Sequence, residues 1–333
     1  DPCPIRPGLP GKVGDSRRER KARSTRPSTA CAFGKTLIFL QQTLSPEHAM
    51  DPFIFTLVLL AAVFHASWNA LMKSGGDKLV MQTLIILAPS LIGLPALLFL
   101  PALAWEAVPW LMLSTLLHFT YYGLLVSAYK HGDLSLVYPI ARGSAPLLVA
   151  VGAWFLAGEN KTAGELLGVA IVSLGIFSLA WRKKGTPLRE GDSKLAVPLA
   201  LLTGLSIASY TLTDGLGVRV SGDAYTYIAW LFALEGLPLL AFTCWRRRGR
   251  IRQSFQPYLA KGLSGGLVAG SAYGIVIWAL SIAPMAQVVA LRETSVLFAA
   301  AMGCFLLREP FGHKRIAAAG LVAGGAVLLQ FNG

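Results

Sequence analysis

From Asp51 to Phe331 the chain is a succession of apolar runs, broken by short polar or glycine-bearing connections. Each run is about 20 residues long, the length an α-helix needs to cross the hydrocarbon of a bilayer. A helix bonds all of its backbone groups within one segment, so it is the form such a run takes in lipid. Only 14% of residues are charged, against about 25% in water-soluble domains. A soluble helical enzyme is excluded, because buried core helices seldom run this long without a polar face. Ten spans can be drawn: 52–72, 79–100, 107–129, 134–157, 163–181, 195–216, 223–244, 258–281, 285–307 and 313–331. Gly75-Gly76-Asp77, Gly132-Asp133, Glu159-Asn160-Lys161 and Pro284 mark connections. The predicted fold class is all-α integral membrane, with ten transmembrane helices.

Residues 1–49 differ from the rest. They carry Arg17, Arg18, Arg20, Lys21 and Arg23 among other basic residues, with prolines and little periodicity. This segment reads as a disordered basic extension that is not native, with Met50 as the natural start; a genuine basic tail is the alternative. The apolar run 36–40 is too short for a span, and no cleavage site follows it. Cys3, Cys31, Cys244 and Cys304 form no CxxC pair, so neither a zinc site nor a disulfide framework is indicated. No metal or cofactor is expected. The net charge of +13 comes without the basic reading face that nucleic-acid binding requires.

The last five spans repeat the first five. Ala66-Ser67-Trp68-Asn69 matches Ala208-Ser209-Tyr210-Thr211, and Gly93-Leu94-Pro95 matches Gly236-Leu237-Pro238. Tyr122-Gly123 matches Tyr273-Gly274, Arg142 matches Arg292, and Glu159 matches Glu309. These matches keep their order, and their offset drifts only slightly. The expected units are residues 50–182 and 195–333, joined by a cytoplasmic linker, 183–194. An odd number of helices per unit inserts the two halves with opposite orientation, as in the inverted repeats of many secondary transporters.

Charge fixes the expected orientation. The loops joining spans 1–2, 3–4, 5–6, 7–8 and 9–10 hold 17 Lys and Arg residues, whereas the other loops hold Lys161 and Arg219. The positive-inside rule puts the first set in the cytoplasm and both termini outside.

Three stretches carry a family resemblance: HASWNALMKSGG at 65–76, YPIARGSAPLLVAVGAWFLAGE at 138–159 and ALRETSVLFAAAMGCFLLRE at 290–309. Through them residues 50–331 resemble the drug/metabolite transporter (DMT) superfamily, specifically its EamA-type ten-helix members. The last two stretches look like the paired EamA repeat, with Arg308-Glu309 standing where the first copy has Gly158-Glu159. The resemblance implies the fold and transport, and leaves the substrate open among amino acids, sugars, nucleotide-sugars, drugs and lipid-linked groups.

Ionisable residues within spans cost roughly 2.5–3.5 kcal/mol each, so they face a cavity or a partner. Arg142 and Arg292 lie at mirrored depths, roughly 10–12 Å from their helix starts. A guanidinium there can hold a carboxylate or phosphate bidentately; the plainer reading is a buried pair with Glu235 or Glu293. Trp68, Tyr122, Tyr210 and Tyr273 recur at equivalent positions and, with Asn69, complete the expected substrate-binding set. Glu235 replaces Ile92 of the first unit, and a carboxylate at that depth is a candidate proton carrier, as are Glu293 and His65. Asp214, near the drawn end of span six, is expected to be solvated or capping. Pro95, Pro139 and Pro238 are expected to kink or end helices.

The sequence therefore predicts a multi-pass protein of a bacterial inner (plasma) membrane. It is not an enzyme but a secondary transporter, exporting an amino-acid-like polar or amphipathic solute by alternating access, with protons as the candidate coupling ion. Its expected partners are that small-molecule solute and the lipid bilayer, not nucleic acid. The alternatives are a flippase for lipid-linked groups on the same fold and, with less support, a lipid-modifying membrane enzyme.

Overall fold

The computed structural model describes residues 50–73, 76–132, 134–180, 194–307 and 313–331. The extension 1–49, nearly all of the linker 183–194, and Arg308 and Glu309 lie outside the described residues. The described elements are α1 (Pro52–Lys73), α2 (Lys78–Ala96), a 3-10 turn (Trp105–Ala107) leading into α3 (Val108–His131), α4 (Leu134–Ala157), α5 (Ala163–Ala180) and α6 (Ala196–Val220). They continue with α7 (Ala224–Arg246), the short α8 (Ile251–Phe255), α9 (Leu259–Ile282), α10 (Met285–Arg292), α11 (Ser295–Leu307) and α12 (His313–Phe331). Eight of these helices are long and apolar enough to cross a membrane. Leu98, Phe99 and Trp105 are among the most exposed apolar side chains, as suits a surface bathed in lipid.

Helix starts follow from local chemistry. The Asp77 carboxylate accepts from the N–H groups of Leu79 and Val80, and that of Asp223 accepts from Thr226 N–H at 2.7 Å. Thr162 and Glu165 form a capping box at α5, each side chain taking the other's backbone N–H. The chain runs helically through Pro139 and Pro238, while α2 ends one residue past Pro95.

The structure corrects span nine. It is not one helix over 285–307 but two, α10 and α11, parted at Glu293-Thr294. The Thr294 N–H and hydroxyl both donate to the Leu291 carbonyl, at 3.0 and 2.6 Å. That shortens the ladder from four residues to three and interrupts the helix.

Helix α3 packs on α6, and α9 packs on α1; α4 packs on α6, and α10 packs on α1. Two further pairs, α2 with α7 and α5 with α12, pack face to face. Small residues permit the close approaches, since tight van der Waals fit is what binds helices in lipid. A Cβ on Gly236 of α7 would strike Ser90 of α2, whose hydroxyl donates to the Phe232 carbonyl at 2.6 Å.

Contacts sort the loops into two ends of the bundle. At one end Arg247, after α7, pairs with Asp77, before α2, at 2.7 Å. At the other, the Thr226 hydroxyl donates to Pro101 C=O. There too, Glu159 after α4 meets Arg219 near the end of α6 and Met285 at the start of α10. The first end carries the arginine-rich segment 246–252, and the second holds both Lys161 and Arg219 of the cation-poor loops.

Candidate functional site

Polar side chains from seven helices meet in the interior, in two lobes. The first lobe is built on arginine. Arg142 of α4 and Arg292 of α10 are both buried, and each reaches Oε1 of Glu293 at 3.3 Å. Glu293 stands in the α10–α11 break with no exposed surface, and its Oε2 has no hydrogen-bond donor among the described residues. The guanidinium of Arg142 lies 5.7 Å from the Tyr138 ring centroid, one helical turn earlier. It also donates to Nε2 of His65 on α1. A ring nitrogen facing a guanidinium N–H must be the acceptor, so His65 is neutral in this arrangement. Trp68 packs edge-on to His65, with ring centroids 5.3 Å apart. With two guanidinium groups, one carboxylate and a neutral imidazole, the lobe carries one surplus positive charge.

The second lobe is built on acids. Asp214 of α6 is fully buried and accepts from Tyr227 at 3.0 Å and from Tyr273 at 2.6 Å. This corrects the expectation that Asp214 is solvated or capping. Helix α6 runs on to Val220, which carries position 214 inside the bundle. Glu235 of α7 accepts from Tyr122 at 3.4 Å. Its Oε1 lies 3.2 Å from Nδ1 of His118 but receives no hydrogen bond from the described residues. That ring nitrogen is turned to the Ser114 carbonyl at 2.9 Å, so the contact with the acid is one of proximity only.

Tyr210 stands between the lobes. It stacks on His118 with centroids 4.0 Å apart, meets Tyr121 edge-on at 5.7 Å, and feels the charges of both Arg142 and Arg292. The arrangement is therefore a cationic lobe and an acidic lobe flanking one aromatic ring.

Among the residues singled out from sequence, the structure brings His65, Trp68, Arg142, Arg292 and Glu293 into one lobe. Tyr122, Glu235 and Tyr273 fall in the other, with Tyr210 between them. Asn69 differs, because its amide turns back onto its own helix and donates to the His65 carbonyl at 2.7 Å. Sequence reasoning missed Tyr121, Tyr138, Tyr227 and Ser114. The four-residue spacings Tyr138–Arg142 and Ser114–His118 were visible as one-face pairs; Tyr227 is reached only through tertiary contact.

A third buried cluster lies at the end with few cations. Glu159 accepts from Lys161, from Arg219 at 2.8 Å and from Met285 N–H at 3.1 Å. Arg219 also donates to the Leu280 and Ala283 carbonyls. Burial alone would raise the Glu159 carboxyl. The charges of Lys161 and Arg219 and the bonds from Lys161 and Met285 overcome it and hold the group below the ordinary carboxylate value.

Residues 194–331 match the model of the EamA-like transporter family, which is part of the DMT superfamily. That stretch of the chain is EamA-like. The match takes in α6 to α12, and with them Tyr210, Asp214, Glu235, Tyr273, Arg292 and Glu293. A solved crystal structure described only as that of a protein is similar over 83% of this chain and 94% of its own, with a TM-score of 0.63 and 17% identity. That likeness shows a shared fold. No curated protein matches the sequence.

Proposed function

We propose that the protein is a secondary transporter exporting a small polar or amphipathic solute of amino-acid type, by alternating access between two inverted five-helix halves, with a proton as the coupling ion. The observation that carries this reading is the surplus positive charge of the arginine lobe. Two guanidinium groups share one oxygen of Glu293, which leaves N–H donors that an entering carboxylate can take bidentately. Trp68, Tyr122, Tyr210 and Tyr273 then line the path beside it. Asn69 serves by fixing the local backbone of α1 rather than by touching the solute.

Two further observations support the halves. Helix pairs come in matched sets: α3 on α6 answers α9 on α1, and α4 on α6 answers α10 on α1. The break in α10–α11 falls at the charged centre, as the discontinuous helices of secondary transporters do. Proton coupling is supported by Glu235 and Glu293. Each keeps one buried oxygen to which no described residue donates, and that oxygen is where a transported proton would sit. His65 joins that relay only when Arg142 leaves it for the solute.

The test uses purified protein in vesicles with an imposed pH gradient and a panel of amino acids and related acids. Gradient-dependent flux of a carboxylate-bearing solute is expected. Flux that ignores collapse of the gradient would remove the coupling.

One observation favours the flippase alternative. A cleft of about 840 Å³ lies between α1, α2, α7 and α9 and is walled by Phe64, Ile92, Phe232 and Trp278. A lipid-borne substrate would lay its tail there. Replacing Gly274, where only Ile228 stands near an added Cβ, by Leu would then block transport of a lipid-linked solute and spare a water-soluble one.

A further inference from the structure

The α7–α8 corner carries five arginines in seven residues: Arg246, Arg247, Arg248, Arg250 and Arg252, interrupted only by Gly249 and Ile251. Only Arg247 has an acid partner among the described residues, and that partner is Asp77. Gly249 turns the chain at φ +85°, a conformation that favours glycine. The turn leaves Arg246, Arg248, Arg250 and Arg252 exposed. Arg248 lies over the Trp245 ring, 5.2 Å from its centroid, and donates to the Trp245 carbonyl. Trp245, Phe242 and Ile251 are themselves exposed beside the arginines.

We infer that this corner is a docking surface for the headgroup of an anionic membrane phospholipid. Four exposed guanidinium groups supply bidentate donors to a lipid phosphate whose negative charge no headgroup cation offsets. Trp245, stacked beneath one of them, and Phe242 and Ile251 supply the apolar footing that a lipid has and a free phosphate lacks. Tryptophan and arginine share this headgroup level in membrane proteins, because each has an apolar body and a polar tip. The inference stands apart from the transport reading, since none of these residues belongs to the central lobes.

The protein is reconstituted in phosphatidylcholine vesicles doped with dibrominated phosphatidylglycerol or dibrominated phosphatidylcholine. Trp245 fluorescence is taken as the difference between the native chain and Trp245→Phe. Quenching by the anionic lipid is expected at a mole fraction at least about fivefold lower, the size of one arginine's attraction near the surface. The preference should vanish in the variant R246Q/R248Q/R250Q/R252Q. It should also vanish for the native chain in about 1 M salt, where screening acts within about 3 Å. Soluble glycerophosphate should not compete. Equal quenching by both lipids in the native chain would overturn the inference. So would a preference that survives salt or the four substitutions, or one that glycerophosphate abolishes.

Discussion

The bundle holds two buried clusters that mix arginine with carboxylate, and they are completed to different degrees. At the cation-poor end both oxygens of Glu159 are engaged, by Lys161, Arg219 and Met285 N–H. Arg219 spends its remaining reach on two carbonyls, with Nη1 alone left over. In the interior, Arg142 and Arg292 crowd onto one oxygen of Glu293 while the other oxygen meets no donor among the described residues, and Glu235 is likewise half-satisfied. A cluster whose carboxylate is fully engaged is a fastening: it joins the α4–α5 loop, α6 and the start of α10. An incomplete one is poised to take something else, because an unmet buried polar atom costs about 1–3 kcal/mol until a partner arrives. On the proposed reading, the contrast separates fastening from transport in residues of the same chemical type.

The largest effects should sharpen that separation. Arg142→Ala and Arg292→Ala are each expected to lower the apparent affinity for the solute by about 100-fold, the scale of removing one member of a buried charge pair. The protein should remain in the membrane at normal level. Flux assays beside quantitative blots check both halves of the statement, and unchanged transport in both variants would remove the arginine lobe as the site.

Arg219→Ala should do the reverse. It leaves Glu159 buried with Lys161 as its remaining cation, at a cost of about 3 kcal/mol in stability. Thermal unfolding in detergent should fall while residual flux at low temperature persists. If flux disappears with no change in unfolding, the clasp belongs to the transport cycle rather than to the scaffold. A smaller effect is expected from Glu235→Gln, which cannot take up a proton. The pH dependence of transport should flatten by about tenfold across the range in which the native protein responds, about what one titrating group gives over one pH unit. An unaltered profile would assign coupling to Glu293 instead.

The two clusters were not equally legible. The interior one could be read in outline, because the bilayer makes every mid-span charge expensive and therefore conspicuous: Arg142, Glu235, Arg292 and Glu293 stand out against apolar neighbours. The all-helical, membrane-length character of the runs was legible for the same reason of length, with eight described helices long and apolar enough to cross where ten spans were drawn. The break at Glu293-Thr294 was not, since neither Pro nor Gly marks it and it depends on one Thr hydroxyl choosing the Leu291 carbonyl. Asp214 was misjudged because a span drawn to 216 put it at an edge that α6 in fact passes by four residues. The clasp was invisible beyond Glu159 itself. Lys161 and Arg219 look like ordinary loop cations, and only tertiary packing delivers them, with the Met285 N–H, to one carboxylate.

The completed cluster also has its own pH signature, the smallest effect expected. Glu159 titrates below the ordinary carboxylate value in the folded chain, whereas in the unfolded chain it returns to about 4.3. The unfolded state therefore binds the proton more readily, and folding gains from the charged form at higher pH. That gain is fully present above about pH 4.3 and is lost as the pH falls through the lower, folded value. Glu159→Gln removes the titration, so the difference in unfolding temperature between native and variant protein isolates this one group. It should be constant from neutral pH down to about pH 5 and shrink below about pH 4. A difference that holds steady into strong acid would mean that Lys161 and Arg219 do not hold the carboxylate charged, and the two clusters would then have to be told apart on other grounds.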